Sequence, residues 1–247
     1  AIAWLAVIVI GGISGLAALC LCWFLIGFGG EDSEEKHGIS DQRSIRLGGV
    51  VIVFYLLFNA FYLWSFGGYE LSLLEISVLA VVTLFFLLGV VEDLTSTLTA
   101  KIRFLAMILA ALCLTWLVDE LQLSNVGIGW VDWTLELTTF SSLLFTALCM
   151  AFLPNAFNTA DGANGLVGGI GVTVLTTLAF LAPNSLGMLQ ASGAVGCLVF
   201  LIFNLFTGRF FLGDGGAYAL GILVGCSLVV VANATDVSAW FLVALIF

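Results

Sequence analysis

Polar positions in this chain are few and bunched, and long apolar stretches run between them. Apolar runs lie near 1–28, 49–66, 72–91, 104–118, 138–154, 165–182, 186–206 and 217–232, and another begins near 237. They are continuous rather than alternating, which points to helices and away from a barrel. A membrane-spanning helix needs about 20 apolar residues, so the shorter runs must borrow from adjacent loop positions. The pattern predicts an all-α, polytopic membrane protein with about nine spans present of ten or eleven. The first run is too long for a signal peptide and has no basic leader. The chain opens and closes inside apolar runs and lacks an initiator Met. Residues 1–247 are therefore expected to form a single integral membrane domain truncated at both ends.

Composition strengthens this picture. Hydrophobic residues make up 62% of the 247 and charged residues 9%, against about 25% charged in an ordinary soluble domain. A water-soluble fold cannot hide so much apolar surface, so lipid is the solvent. The net charge of −10 comes from acids scattered over several loops and identifies no partner. No nucleic-acid partner is expected. The six cysteines (Cys20, Cys22, Cys113, Cys149, Cys197, Cys226) all fall in apolar runs and read as small packing residues.

Charge sign sets the expected orientation. Lys36, Arg43 and Arg46 precede the second run, Lys101 and Arg103 separate the third and fourth, and Arg209 separates the seventh and eighth. Counting spans puts all six on one face, which the bias of Lys and Arg marks as cytoplasmic. The opposite loops hold no Lys or Arg but carry Trp64, Tyr69, Trp130 and Trp133, suited to the membrane interface.

The same counting gathers four unusual segments on the basic face. They read KHGISDQRSIRLGG (36–49), GVVEDL then TAKIRF (89–94 and 99–104), NAFNTADGANGL (155–166) and GRFFLGDGGAYALG (208–221). Glycines let backbone approach a ligand, carboxylates can share a hard divalent cation, and Lys and Arg can take phosphate oxygens. Taken singly, Asp93, Asp161 or Asp214 reads more readily as a solvated acid at a helix end. The adjacent Glu92 and Asp93 repel unless a cation or base compensates them. Confinement of the whole set to one face, near Lys101 and Arg103, suits a nucleoside diphosphate held through magnesium.

NAFNTADGANGL resembles the N-x-x-N-x-x-D-G-x-[DN]-G-L signature of the polyprenyl-phosphate N-acetylhexosamine-1-phosphate transferase superfamily, in its surface-polysaccharide branch. FLGDGGAYALG is similar to its F-x-G-D-x-G motif, GVVEDL with TAKIRF to its G-x-x-D-D stretch and following basic segment, and KHG with RLGG to its first-loop pattern. The resemblance implies transfer of a sugar 1-phosphate from a UDP-N-acetylhexosamine to polyprenyl (undecaprenyl) phosphate, with release of UMP. It implies a magnesium cofactor, with Mn2+ as a substitute, and a place in the bacterial inner membrane with the site facing the cytoplasm. Asp214 would be the principal metal ligand. Asp93 would act as base or metal-side carboxylate, with Glu92, Asp161 and Lys101 beside it in the catalytic set. Asn155, Asn158 and Asp161 would line the nucleotide and sugar-phosphate pocket, and Asn164 and Phe211 would meet the uracil. Lys101 would contact phosphate; Arg46, Arg103 and His37 join the substrate-binding set, His37 as a loop residue shaping the first motif rather than as a base. A homodimer is compatible with this reading.

Two departures matter. The Asp-Asp pair is Glu92-Asp93 here, and Asn164 stands where muramyl-pentapeptide-specific members carry Asp. The alternatives are that phospho-N-acetylmuramoyl-pentapeptide transferase, a lipid-binding homologue without catalysis, and a secondary transporter. Transporter sites sit near the bilayer midplane, whereas no acid here falls in mid-run and Glu75 lies near an outer end.

Overall fold

The computed structural model describes residues 46–181, 186–207, 210–244 and 246, with isolated positions 15, 17 and 20 ahead of them. All but those three positions of the first apolar run, together with His37 and Arg209, therefore lie outside the described residues. The rest is helical: α1 Gly49–Phe66, α2 Leu73–Thr95, α3 Ala100–Leu117, α4 Gly129–Leu137, α5 Thr139–Ala160, α6 Leu166–Leu181, α7 Gly187–Thr207, α8 Gly213–Ala234 and α9 Ala239–Val243. A short 3-10 turn, Asp119–Leu121, follows α3. Six of these helices are long and apolar enough to cross a membrane, and α6, at 16 residues, is a shorter apolar helix. The chain is thus a multi-pass, all-helical membrane protein.

Helix α8 is the axis of the bundle. Of its most apolar window, 94% is buried inside the protein, against 22% for α3. Helices α2 and α5 are its main partners, with α1 and α6 also against it. Small residues let the backbones close in. A Cβ on Gly49 would collide with the Gly216 backbone, one on Gly89 with Gly215, and one on Gly221 with Pro154 of α5. Large side chains elsewhere, such as Phe180, Phe206 and Trp116, are exposed, as lipid-facing positions should be.

Several boundaries differ from the expected loops. Helix α2 runs on through Glu92 and Asp93, ending at Ser96 in the left-handed region (φ 50°). Helix α3 starts at Ala100 because the Thr99 side chain caps the Ile102 N–H, which puts Lys101 and Arg103 in its first turn. Helix α5 continues past Pro154 to Ala160, so Asn155 and Asn158 are helical and the loop shrinks to 161–165. Asp214 stands in the first turn of α8. Where about nine spans were expected, the described residues hold six and the shorter α6, and the run near 237 is the five-residue α9.

On the face opposite these ends, the expected loop 119–137 contains α4. Trp130 and Trp133 are exposed there while Val131 and Leu135 are buried. Asp132 Oδ1 accepts the Val126 N–H at 2.6 Å and fixes the entry to this helix. Glu75 is buried at the start of α2, where its carboxylate accepts from Tyr69 OH (2.8 Å) and Ser72. It is a satisfied cap. The described cysteines are free, and Cys197 and Cys226 are buried as packing residues, but Cys113 is exposed.

Candidate active site

Helices α2, α5 and α7 end where α1, α3, α6 and α8 begin, so their polar termini meet at one end of the bundle. At the centre is the N-terminus of α8. The first amides of a helix lack intrahelical acceptors and carry partial positive charge. Here two acids supply acceptors: Gly213 N–H donates to Asp161 Oδ2 (3.2 Å) and Gly215 N–H to Asp93 Oδ2 (3.1 Å). Gly213 has φ +75°, and a Cβ there would strike the Arg46 carbonyl oxygen. This turn therefore requires glycine.

Arg103 bridges the remaining acids. Its Nη1 lies 2.7 Å from Asp214 Oδ2 and 3.4 Å from Glu92 Oε1. Tyr218 OH donates to the same Asp214 oxygen at 3.3 Å, and Asn158 Nδ2 reaches Tyr218 OH at 3.5 Å. Glu92 Oε2 accepts the Leu98 N–H at 2.9 Å, fixing the turn between α2 and α3. Burial pushes the Asp161 carboxyl up to about 7, opposed by the Gly213 N–H and the positive charge of Arg46.

The arrangement leaves unmet demands. Asp93 Oδ1 and Arg103 Nε are both buried and without a hydrogen-bond partner. An acceptor and a donor, each of a charged group, are thus left unmatched within the same cluster. Leaving such groups unpaired costs several kcal/mol in a low-dielectric site, so a ligand offering both a cation or donor and an anionic acceptor fits. Among the described residues no three His, Cys, Asp or Glu form a ready metal site. Magnesium does not require one, since it keeps waters and is commonly held by one or two carboxylates plus substrate phosphates. Asp214 and Asp93 fit that pattern.

The structure brings together Asp93, Asp161, Asp214, Glu92, Arg103 and, through Tyr218, Asn158. Arg46 flanks them. Lys101 and Asn164 are exposed at the rim. Asn155 Nδ2 donates to Ala151 O (2.8 Å) and contacts Met107 Sδ (3.4 Å). Phe211 is half-buried, and its carbonyl accepts the Gly48 N–H at 2.8 Å, tying the stretch before α8 to the start of α1. Two residues at the site were not singled out from sequence. Tyr218 is one; Asn204 is the other. The buried Asn204 amide donates to Phe210 O (2.6 Å) and accepts the Gly165 N–H (2.9 Å), joining the loop of Asn164 to the approach of Phe211. A polar residue buried in an apolar run is itself a signal.

Comparison with known proteins identifies the family. Residues 75–232 match the family model described as glycosyl transferase family 4. A phospho-N-acetylmuramoyl-pentapeptide-transferase of Deinococcus radiodurans is 28% identical over 83% of this chain and 72% of its own length. A putative UDP-N-acetylglucosamine–dolichyl-phosphate N-acetylglucosaminephosphotransferase of Saccharolobus solfataricus is 25% identical over 56% of this chain and 44% of its own. A decaprenyl-phosphate N-acetylglucosaminephosphotransferase of Mycolicibacterium smegmatis is 28% identical over 55% of this chain and 35% of its own. The chain thus spans less than half the length of the last two. The matched region covers more than half of the chain and contains Glu92, Asp93, Asp161 and Asp214, and the chain belongs to glycosyl transferase family 4, among the polyprenyl-phosphate N-acetylhexosamine-1-phosphate transferases.

Proposed function

We propose that the protein transfers N-acetylhexosamine 1-phosphate from a UDP-sugar to polyprenyl phosphate, releasing UMP, on the cytoplasmic face of a bacterial inner membrane. The observation that carries this reading is the pair of orphaned charged groups, Asp93 Oδ1 and Arg103 Nε, beside Asp214. A magnesium-bound pyrophosphate offers each what it lacks. Asp214 and Asp93 would hold the cation, with Mn2+ as a substitute. When bound, the ion supplies neutralisation of the charge that spreads over the pyrophosphate.

The protein's own groups do the positioning. Arg103, freed in part from Asp214, turns its planar fork toward phosphate oxygens. Lys101 at the rim would meet the anionic headgroup of the lipid, and Asp93 would orient that attacking phosphate. Asp161 holds the Gly213 turn, and Asn158 with Tyr218 fixes the Asp214 carboxylate. The Asn164 loop and Phe211, joined through Asn204, form the side from which the uracil is held. Fixed dipoles and charges of this kind need no reorganisation during reaction.

A second reading keeps the chemistry and changes the sugar. Similarity to phospho-N-acetylmuramoyl-pentapeptide-transferases favours the muramoyl-pentapeptide substrate, while Asn164 in DGANG favours the surface-polysaccharide branch. Membranes containing the full-length protein, given a panel of radiolabelled UDP-sugars, should form labelled lipid from a UDP-N-acetylhexosamine. Label only from the muramoyl-pentapeptide nucleotide would select the second reading, and none from any sugar would reject both.

A further inference from the structure

Away from the carboxylates, the bundle contains a second group of polar side chains that the transfer chemistry does not use. Asn59 on α1, Gln190 and Ser192 on α7 and Ser227 on α8 are each 1% exposed or less. Asn59 Nδ2, both amide atoms of Gln190, and the Ser192 and Ser227 hydroxyls have no hydrogen-bond partner.

Close approaches between the helices place three of these residues at one level. A Cβ on Gly196 would lie 3.2 Å from Ile52 Cα, and one on Gly193 would lie 3.5 Å from Leu56 Cδ1 and 2.8 Å from Leu223 Cδ2. Helices α1 and α7 therefore pair 52 with 196 and 56 with 193. Three residues on, the same seam pairs Asn59 with Gln190, since positions three and four apart share a helix face. Ser227 is one turn beyond Leu223 on α8, whereas Ser192, two residues from Gln190, faces another side of α7. Asn59, Gln190 and Ser227 thus stand about a turn beyond Gly193, in the half of the bundle remote from Asp214.

A buried polar group without a partner costs several kcal/mol in a membrane interior, where lipid offers no substitute. Direct pairing among these atoms does not occur in this packing. The group presents donors from Asn59, Gln190 and Ser227, and acceptors from Gln190 and the Ser227 hydroxyl. Water, which needs two to four such partners, meets both demands at once. We propose that ordered water is sealed between α1, α7 and α8 at this level, bridging Gln190 to Asn59 and Ser227. The bound water sets the register of α1 and α7 against the central helix.

The test is a structure of the full-length protein in lipid nanodiscs at a resolution that shows water, paired with hydroxyl-radical labelling. Density should appear within about 3.2 Å of Gln190 and of Asn59 or Ser227. Brief radiolysis should label Leu56 and Leu223 although neither reaches bulk solvent, and Gln190→Leu should lose that label. Should Gln190→Leu not fold, Ser227→Ala serves the same comparison. Direct Asn59–Gln190 pairing without density, or no label in the wild-type protein, would overturn the proposal.

Discussion

Asp93, Asp161 and Asp214 each have a structural duty as well as a chemical one, and the choice of substitution separates the two. Asp93→Asn keeps an oxygen for the Gly215 N–H, so it should fold and melt near the wild type while losing turnover. Asp93→Leu removes the acceptor and should lower stability by about 1–3 kcal/mol as well. Thermal unfolding beside lipid-product formation distinguishes them, and an active Asp93→Asn would reduce Asp93 to a helix cap. Asp214→Asn should cost about 10²–10³ in rate, the usual loss for one contact made at the transition state, and should raise the magnesium requirement. Asp236→Asn, exposed at the far end, should be silent. Retention of a tenth of activity in Asp214→Asn, a loss of only about 1.4 kcal/mol, would remove it from the metal role. Asp161 carries a pH signature. Its folded-state value of about 7 lies above the ordinary value near 4. The folded protein thus keeps a proton that the unfolded chain releases, and stability from this group falls as pH rises between those values. Melting temperature should decline less from about pH 5 to pH 7.5 in Asp161→Asn than in the wild type; equal slopes would show that Asp161 does not titrate there.

The helices meet through glycine, which makes packing testable without touching the chemistry. A Cβ on Gly49 collides with Gly216 backbone that has no flexible end to move aside, so Gly49→Ala should destabilise by about 1–3 kcal/mol, the range for overpacking. Gly169→Ala, with nothing within 4 Å of the added Cβ, should instead gain up to about 1 kcal/mol of helix propensity. A silent Gly49→Ala would mean that α1 and α8 are not in register as described. Helix existence was legible from hydropathy alone, because the runs near 49–66 and 165–182 match α1 and α6 to within a residue. The helix ends were harder to read. Charged residues look like loop, yet Thr99, Ser96 and the amides of α8 cap turns that carry Arg103, Asp93 and Asp214 inside helices. The resemblance puts Asn155 in the pocket; in α5, one turn before Asn158, its amide meets Ala151 O and Met107 Sδ. Helix α4 escaped notice because nine residues, split between buried Val131 and Leu135 and exposed tryptophans, make too short an apolar run.

At the scale of the molecule, six membrane-length helices and α6 place every candidate carboxylate at one end of the bundle. That end also holds Arg46, Lys101 and Arg103, and the account assigns it to the cytoplasm. In a cysteine-free background, cysteine at Asn164 should react with an impermeant thiol reagent only from the cytoplasmic side, and cysteine at the exposed Glu136 only from outside. The reverse pattern would turn the site away from its nucleotide. The central claim is the bond that breaks, and the nucleotide released reports it directly. Full-length protein given UDP-N-acetylhexosamine, polyprenyl phosphate and magnesium should release UMP in step with lipid product, and added UMP should regenerate UDP-sugar from that product. Release of UDP would mean cleavage at the sugar carbon, and would contradict the account.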